Sequence, residues 1–320
     1  MKKREYIAGF DVGGTKCAVT LAESTSDKPV ILKKVKFPTE KNAPMTVLSD
    51  FLTAFDGVLA EAGLTYADIA GIGISCGGPL DAGRGIVLSP PNLPGWDGIE
   101  ICRFFTEKTG IGCRLQNDAN ACAVAEWRYG AGKGYRDMVF LTFGTGLGAG
   151  LILDGRLYRG HTDMAGEIGH VRLEKDGPVG YGKAGSCEGF CSGGGIAQLG
   201  VRAMLAGSPD GALFRACGGD PEKVTAKVIG DLAEAGDGTC IGIYRECAEK
   251  LGRTAAILCD VVNPEAIVIG GIYMRSDGLL TPGILDTMEK EALCPCKILK
   301  AGLGENVGDY AALSIADGNY

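Results

Sequence analysis

The chain has 320 residues, 46% of them hydrophobic, with a net charge of −7 and thirteen cysteines. That length predicts two domains of roughly 100 to 200 residues each, and the acidic balance argues against a nucleic-acid or anionic-membrane surface, which needs a basic stripe. No apolar run approaches the roughly 20 residues that span a bilayer. The basic start Met-Lys-Lys-Arg lacks the apolar stretch and cleavage pattern of a signal peptide, so a cytoplasmic enzyme acting on small molecules is expected.

In chain order, residues 6–21 read as an apolar strand, a tight glycine turn containing a Thr, and a second apolar strand. A further strand at 31–37, a helix at about 45–62 and a buried strand at 70–76 follow. The Gly/Pro-rich segment 77–98 reads as a long loop suited to binding. A short helix at about 100–109 and a strand at 113–116 precede a helix from Ala119 to Tyr129, with Gly130 as its C′ residue. Residues 138–153 then repeat the opening motif. After a glycine-rich stretch at 155–195 come helices to about Val261, a buried strand at 266–269 with another glycine turn, and a short apolar tail, 311–316, expected to pack as a helix on the first domain. Strands and helices alternate throughout, so the fold class is α/β.

The repeated glycine turns let backbone N–H groups close on phosphate oxygens without a Cβ in the way. Gly144-Thr-Gly-Leu-Gly-Ala149 also spells a dinucleotide fingerprint, but that motif requires a helix after the turn. Here Gly150-Leu-Ile-Leu-Asp-Gly-Arg-Leu-Tyr reads as strand, turn, strand, which excludes a dehydrogenase. A Walker loop is absent, because Lys133 lacks the upstream glycine spacing and a following Ser or Thr. Asp11, between an apolar strand and two glycines, carries a desolvation cost if simply buried; at the mouth of a nucleotide cleft it faces Mg²⁺ instead. Asn117 and Asp118 precede a helix and either suits its N-cap. Glu167 and His170 sit between glycines that disfavour a helix, so a loop presenting both is expected. With only His161 and His170 in the chain and no nucleophile elbow around Ser192, acyl transfer is improbable.

The odd cysteine count points to reduced thiols. Most, such as Cys122 and Cys259, read as small hydrophobes. Cys187-x-x-x-Cys191 and Cys294-Pro-Cys296 stand apart, yet no Cys-x-x-Cys pair exists to build a zinc site.

Taken together, Asp11-Val-Gly-Gly-Thr-Lys16, Leu115-Gln-Asn-Asp-Ala-Asn120, Gly144-Thr-Gly-Leu-Gly148, Gly166-Glu-Ile-Gly-His170 and Ile269-Gly-Gly resemble the ROK family of sugar kinases and regulators, in order and spacing across nearly the whole chain. The resemblance implies an actin-like ATPase fold: two ribonuclease-H-like domains, 1–117 with about 305–320 and 118–304, with a cleft between them. It implies that Asp118 is the general base toward a sugar hydroxyl, and that Asn117, Glu167, His170 and Glu188 bind sugar hydroxyls beside Gly78, Pro79, Asn92 and Leu93. For ATP it implies Asp11 on Mg²⁺, Gly13, Gly14, Thr15 and Lys16 with Gly144, Thr145, Gly146 and Gly148 on the phosphates, and Gly270 and Gly271 by the adenosine. Family regulators carry a DNA-binding domain ahead of the first glycine strand, for which a strand starting at Tyr6 leaves no room; a kinase is expected, as a homodimer.

The family commonly carries a cysteine-rich zinc run after its Glu-x-Gly-His segment. Aligning on Glu188 puts Val179, Tyr181 and Ser186 at the three cysteine positions, so zinc is not expected and another partner must orient His170. The resulting expectation is ATP-dependent phosphorylation of a hexose, glucose first, at the C6 hydroxyl. The alternatives are an N-acetylhexosamine or fructose kinase, or a sugar sensor without turnover.

Overall fold

The structure is a computed structural model and describes residues 5–40 and 42–320; the basic residues 1–4, weighed above as a leader, lie outside them. Two compact units emerge. One comprises Met1–Arg136, Gly150–Ala165 and Gly302–Tyr320, the other Asp137–Ala149 and Gly166–Ala301.

In the first unit, β1 (Tyr6–Val12), β2 (Lys16–Glu23) and β3 (Val30–Pro38) make an antiparallel meander. Helix α1 (Pro44–Ala62) starts on a proline that needs no N–H partner and ends at Gly63 in the left-handed region, φ 68°. After β4 (Ile69–Cys76), the segment expected as an open loop forms a small antiparallel sheet of β5 (Leu80–Asp81), β6 (Ile86–Leu88) and β7 (Asp97–Ile99). Its order comes from apolar anchors: Leu80, Val87, Leu93 and Trp96 are all drawn into the core. Helix α2 (Ile101–Thr109), β8 (Cys113–Asn117) and α3 (Asp118–Tyr129) follow. The main sheet runs β3-β2-β1-β4-β8, with β4 parallel to β1 and β8 parallel to β4. On one face Phe10 of β1 stacks on Phe51 at 5.1 Å and meets Phe55 and Phe105 edge-on at 5.3 and 4.9 Å, contacts that add about 1 kcal/mol each to simple burial.

The chain then forms β9 (Met138–Phe143), β10 (Leu147–Leu153) and β11 (Arg156–Tyr158), the strand–turn–strand read from the sequence; the division between units falls inside β10. In the second unit a two-stranded ribbon, β12 (Val179–Gly180) with β13 (Lys183–Ala184), leads into α4 (Cys187–Phe190) and α5 (Gly193–Ala206). Helices α6 (Ala212–Cys217), α7 (Ala226–Glu234) and α8 (Gly238–Val262) follow, then β14 (Ala266–Ile269), α9 (Tyr273–Glu291) and β15 (Lys297–Lys300). Strand β14 lies parallel between β9 and β15. The long α8 buries Cys240, Tyr244, Cys247, Leu251, Ala255 and Leu258, an i, i+3, i+4 stripe that packs on α9.

The tail forms α10 (Val307–Ser314), in the first unit, against β1 and β4. The approach is close enough that a Cβ on Gly73 would overlap the Ala312 carbonyl oxygen and one on Gly71 that of Ala316. Helix α3 is tied to the same tail. The buried Glu126 carboxylate accepts hydrogen bonds from the N–H groups of Ala131 at 2.8 Å, Gly302 at 2.9 Å and Leu303 at 2.9 Å. Arg128 donates to the Ser314 carbonyl at 2.6 Å and to both Asp317 oxygens. These bonds keep α3 with the first unit, whereas the sequence boundary at 117/118 put it with the second. Gly130 also differs from expectation. Its backbone is extended (φ −118°, ψ −145°), and glycine is required because a Cβ would strike the Glu126 carboxylate.

Candidate active site

In the first unit the sheet register sets the site. Lys36 pairs with Ala18, Ala18 with Asp11, Asp11 with Ser75 and Ser75 with Gln116, so these side chains share the sheet face opposite Phe10. Asp11, at the end of β1, has its carboxyl pushed up to about 6, by burial first and then by the charge of Asp118; Lys34 and Lys36 oppose this and Asp309 adds to it. Lys34 and Asp309 form an ion pair.

Past Asp11 the chain turns through Gly13, Gly14 and Thr15 into the exposed Lys16. Thr39 braces this turn, its hydroxyl donating to the Gly13 carbonyl at 2.6 Å and its N–H to that of Thr15 at 3.0 Å. A Cβ on Gly14 would lie 2.8 Å from the Asn92 carbonyl oxygen, and one on Gly78 3.2 Å from Asn117 Nδ2. Asn92, the Gly77–Gly78 backbone and Asn117 therefore meet beside the turn. The Gly78–Pro79 peptide is cis. Leu93, expected in the wall of the sugar pocket, instead points into the core and serves as the loop's anchor.

The question of which residue caps α3 is resolved in favour of Asn117. Its Oδ1 accepts from Ala119 N at 2.9 Å and Asn120 N at 3.4 Å. Asp118 Oδ1 also accepts from Ala119 N, at 2.8 Å, and the residue keeps open surface at the start of the helix. Desolvation by the surrounding protein raises its pKa above the ordinary carboxylate value, against the pull of its backbone hydrogen bonds. Burial and the two carboxylates push the Cys76 and Cys122 thiols well up, so both stay neutral beside the charged pair.

In the second unit three glycine-bearing segments converge. The turn after β9 is Gly144-Thr145-Gly146, closed by Gly144 N–H on the Gly146 carbonyl at 3.0 Å; Gly148 already lies within β10. Gly193 N–H, at the start of α5, donates to the Gly144 carbonyl at 2.8 Å, and Ser192 caps that helix through Gly195 N at 3.0 Å. After β14, Gly270 N–H donates to the Leu141 carbonyl at 3.0 Å and Ile272 N–H to that of Phe143 at 2.6 Å. Gly271 is left-handed, φ 69°, and packs where a Cβ would strike Phe143 O. The start of α5, a 14-residue helix beside a phosphate-sized turn, was not foreseen; the run Ser192-Gly-Gly-Gly was weighed only as a nucleophile, although a small-residue helix start is also an anion-binding signal.

Glu167 precedes a single 3-10 turn, Ile168–His170, where a loop was expected. The flanking glycines act by close approach: Cβ atoms on Gly166 and Gly169 would overlap the carbonyl oxygens of Ala149 and Leu147 in β10. His170 is exposed and meets the ring of Tyr181 edge-on at 6.0 Å, while Lys183 Nζ donates to its carbonyl at 2.7 Å. The three positions aligned with the family cysteines thus make other contacts. Tyr181 abuts His170, Ser186 caps α4 through Gly189 N at 3.0 Å, and the Val179 backbone is clamped by the Gln198 amide, which accepts from Val179 N–H and donates to its carbonyl, both at 2.9 Å. Cys187 and Cys191, singled out in the sequence, are buried core thiols. Glu188 Oε2 accepts from Leu147 N at 3.0 Å, next to the glycine turn.

The structure therefore gathers Asp11, the 13–16 turn, Gly78, Asn92, Asn117 and Asp118 in the first unit, and the 144–146 turn, Gly270–Gly271, Glu167, His170 and Glu188 in the second. Lys34, Lys36, Thr39 and Asp309 were missed; the alternation of Lys34 and Lys36 with the inward Val35 and Phe37 was the available signal.

The sequence profile described as "ROK family" matches residues 7–318. The chain belongs to the ROK family. This ROK protein is 30% identical over 319 residues to a glucokinase of Thermotoga maritima, covering 97% of this chain and 96% of that one. The crystal structure of a ROK family glucokinase from Streptomyces griseus, in complex with glucose and AMPPNP, superposes with a TM-score of 0.79 at 29% identity, covering 97% and 99% of the two chains. A xylose repressor of Caldicellulosiruptor bescii is 29% identical, over 82% of this chain and 65% of its own. The fold is that of the ROK sugar kinases, the actin-like ATPase fold.

Proposed function

We propose that this ROK protein is an ATP-dependent hexose kinase, with glucose as first substrate and the C6 hydroxyl as acceptor. The observation that carries the reading is the division of labour at 117–118. Asn117 takes the helix cap, and the Asp118 carboxyl has its pKa raised by desolvation, as suits a general base. Asp118 accepts the proton of the attacking hydroxyl; Asn117, Glu167, His170 and Glu188 hold sugar hydroxyls, with Gly78-Pro79 and Asn92 as wall. The 13–16 and 144–146 turns offer backbone N–H groups to phosphates, and Gly270–Gly271 lies by the adenosine.

Asp11 is the residue that would hold Mg²⁺. The fit is electrostatic: burial and the charge of Asp118 oppose the ionisation of Asp11, and a divalent cation would favour it. When bound, the ion offsets charge on the phosphate oxygens.

ADP release over a panel of hexoses and N-acetylhexosamines tests the reading, with glucose expected to be fastest; release with no sugar in the panel would overturn it. The repressor relative gives the sensor reading its specific support. Sugar binding by calorimetry without ADP release would decide for it. Zinc is not part of the proposal, because Tyr181, Ser186 and Gln198 brace the loop around His170. Activity is expected to survive exhaustive chelation once excess Mg²⁺ is restored, and stoichiometric zinc in the purified protein would contradict this.

A further inference from the structure

Cys259 was read from the sequence as a small hydrophobe and Cys294-Pro-Cys296 as an outlying pair; the fold brings them to one place. Cys259 sits in the last turn of α8, and its Sγ lies 3.5 Å from that of Cys296. Two constraints hold them there. The Leu293 N–H donates to Asp260 Oδ1 at 2.8 Å, fixing the 292–296 segment against the end of α8, and Lys297 begins the β15 ladder opposite Ala266 of β14.

We propose that Cys259 and Cys296 are a thiol–disulfide exchange site, closed to an intramolecular disulfide by a low-molecular-weight disulfide and reopened by thiols. An S–S bond needs a sulfur separation of about 2.0 Å, which rotation of the half-buried Cys296, next to the exposed Cys294 and Pro295, supplies. The Cys296 thiolate attacks the reagent disulfide R–S–S–R, forming an S–S bond to one R–S group and expelling the other as thiolate. The Cys259 thiolate then attacks Cys296 Sγ, forming the protein disulfide and expelling the second R–S group. The two cysteine protons end on the two R–SH products; the protein loses two electrons and the reagent gains them. In the reduced pair the hydrogen bond between the two sulfurs brings the Cys259 thiol down to about 7 and pushes the Cys296 thiol up, so the pair ionises with one proton shared between the sulfurs, and passage of that proton to Cys259 leaves the more accessible Cys296 as the attacking thiolate. The cysteine pair Cys191 and Cys247, by contrast, is fully buried, and burial pushes the Cys191 thiol well up, so it is closed to reagent.

The full-length chain is treated with oxidised glutathione, freed of reagent, and mapped as peptides without reduction by mass spectrometry. Two of the thirteen thiols should be lost with a mass decrease of two hydrogens, in a cross-linked peptide joining Cys259 and Cys296 that dithiothreitol reopens. Cys259→Ser should stop at a stable glutathione adduct on Cys296, and Cys294→Ser should still close the bridge. Retention of all thirteen thiols, a bridge through Cys294, or an unresolved glutathione adduct on the unsubstituted chain would overturn the proposal.

Discussion

Asn117 and Asp118 are adjacent and chemically alike, yet it is Asn117 that caps α3, and substitution separates the cap from the role proposed for Asp118. Asp118→Asn should leave folding intact, because Asn117 holds the cap, while sugar phosphorylation falls by about 10²-fold or more; retained turnover would return Asp118 to a structural role. Asn117→Ala should cost about 1 kcal/mol of stability in urea denaturation. Asp11 adds a pH dependence. Its folded pKa, about 6, lies above the ordinary 3.8, so the folded state binds the proton more tightly than the unfolded chain. This group's contribution is therefore favourable at acid pH and is lost as pH rises from about 4 to about 6. Asp11→Asn should melt higher than the parent above pH 6 and equally near pH 4, while losing activity. Equal melting temperatures at pH 7.5 would show that the carboxylate is not strained.

At the scale of elements, α10 lies on the sheet only because β4 presents glycine at 71 and 73. Gly73→Ala pushes a methyl group into the Ala312 carbonyl and should cost about 3 kcal/mol. Ile74→Val, on the opposite face in the core, should cost about 1 kcal/mol; equal losses would mean that the helix tolerates displacement. The strands and long helices were legible in the sequence because their apolar spacing is local, and so were the two glycine turns. What escaped was non-local. The order in 77–98 depends on Leu93 and Trp96 reaching the core. The role of Gly130 depends on Glu126, and the place of α3 on bonds to residues 302–317. The packing of the tail helix on the first domain was read from its apolar residues, and Gly71 and Gly73, alternating in a strand, were the readable sign of where it passes close by.

At the scale of the molecule, the candidate residues fall in two sets, one per unit, and the sequence motifs located both without showing what supports them. The sheet register around Asp11 and the bracing of His170 by Tyr181 arise only once the chain folds. Glu188 has a wider consequence. Its carboxylate holds the Leu147 N–H, one residue beyond the Gly144–Gly146 turn, and it is also the group proposed to receive a sugar hydroxyl. A ligand drawing on that carboxylate changes how firmly the turn is held, so sugar and nucleotide should alter each other's affinity by one shared factor, as linkage requires. Titrating each ligand with and without the other should give the same ratio of dissociation constants both ways, and Glu188→Gln should bring that ratio toward one. A ratio unchanged by the substitution would mean that the two ligands communicate by another route. A ratio brought to one would instead make the Glu188 side chain the meter by which the protein senses one substrate while holding the other.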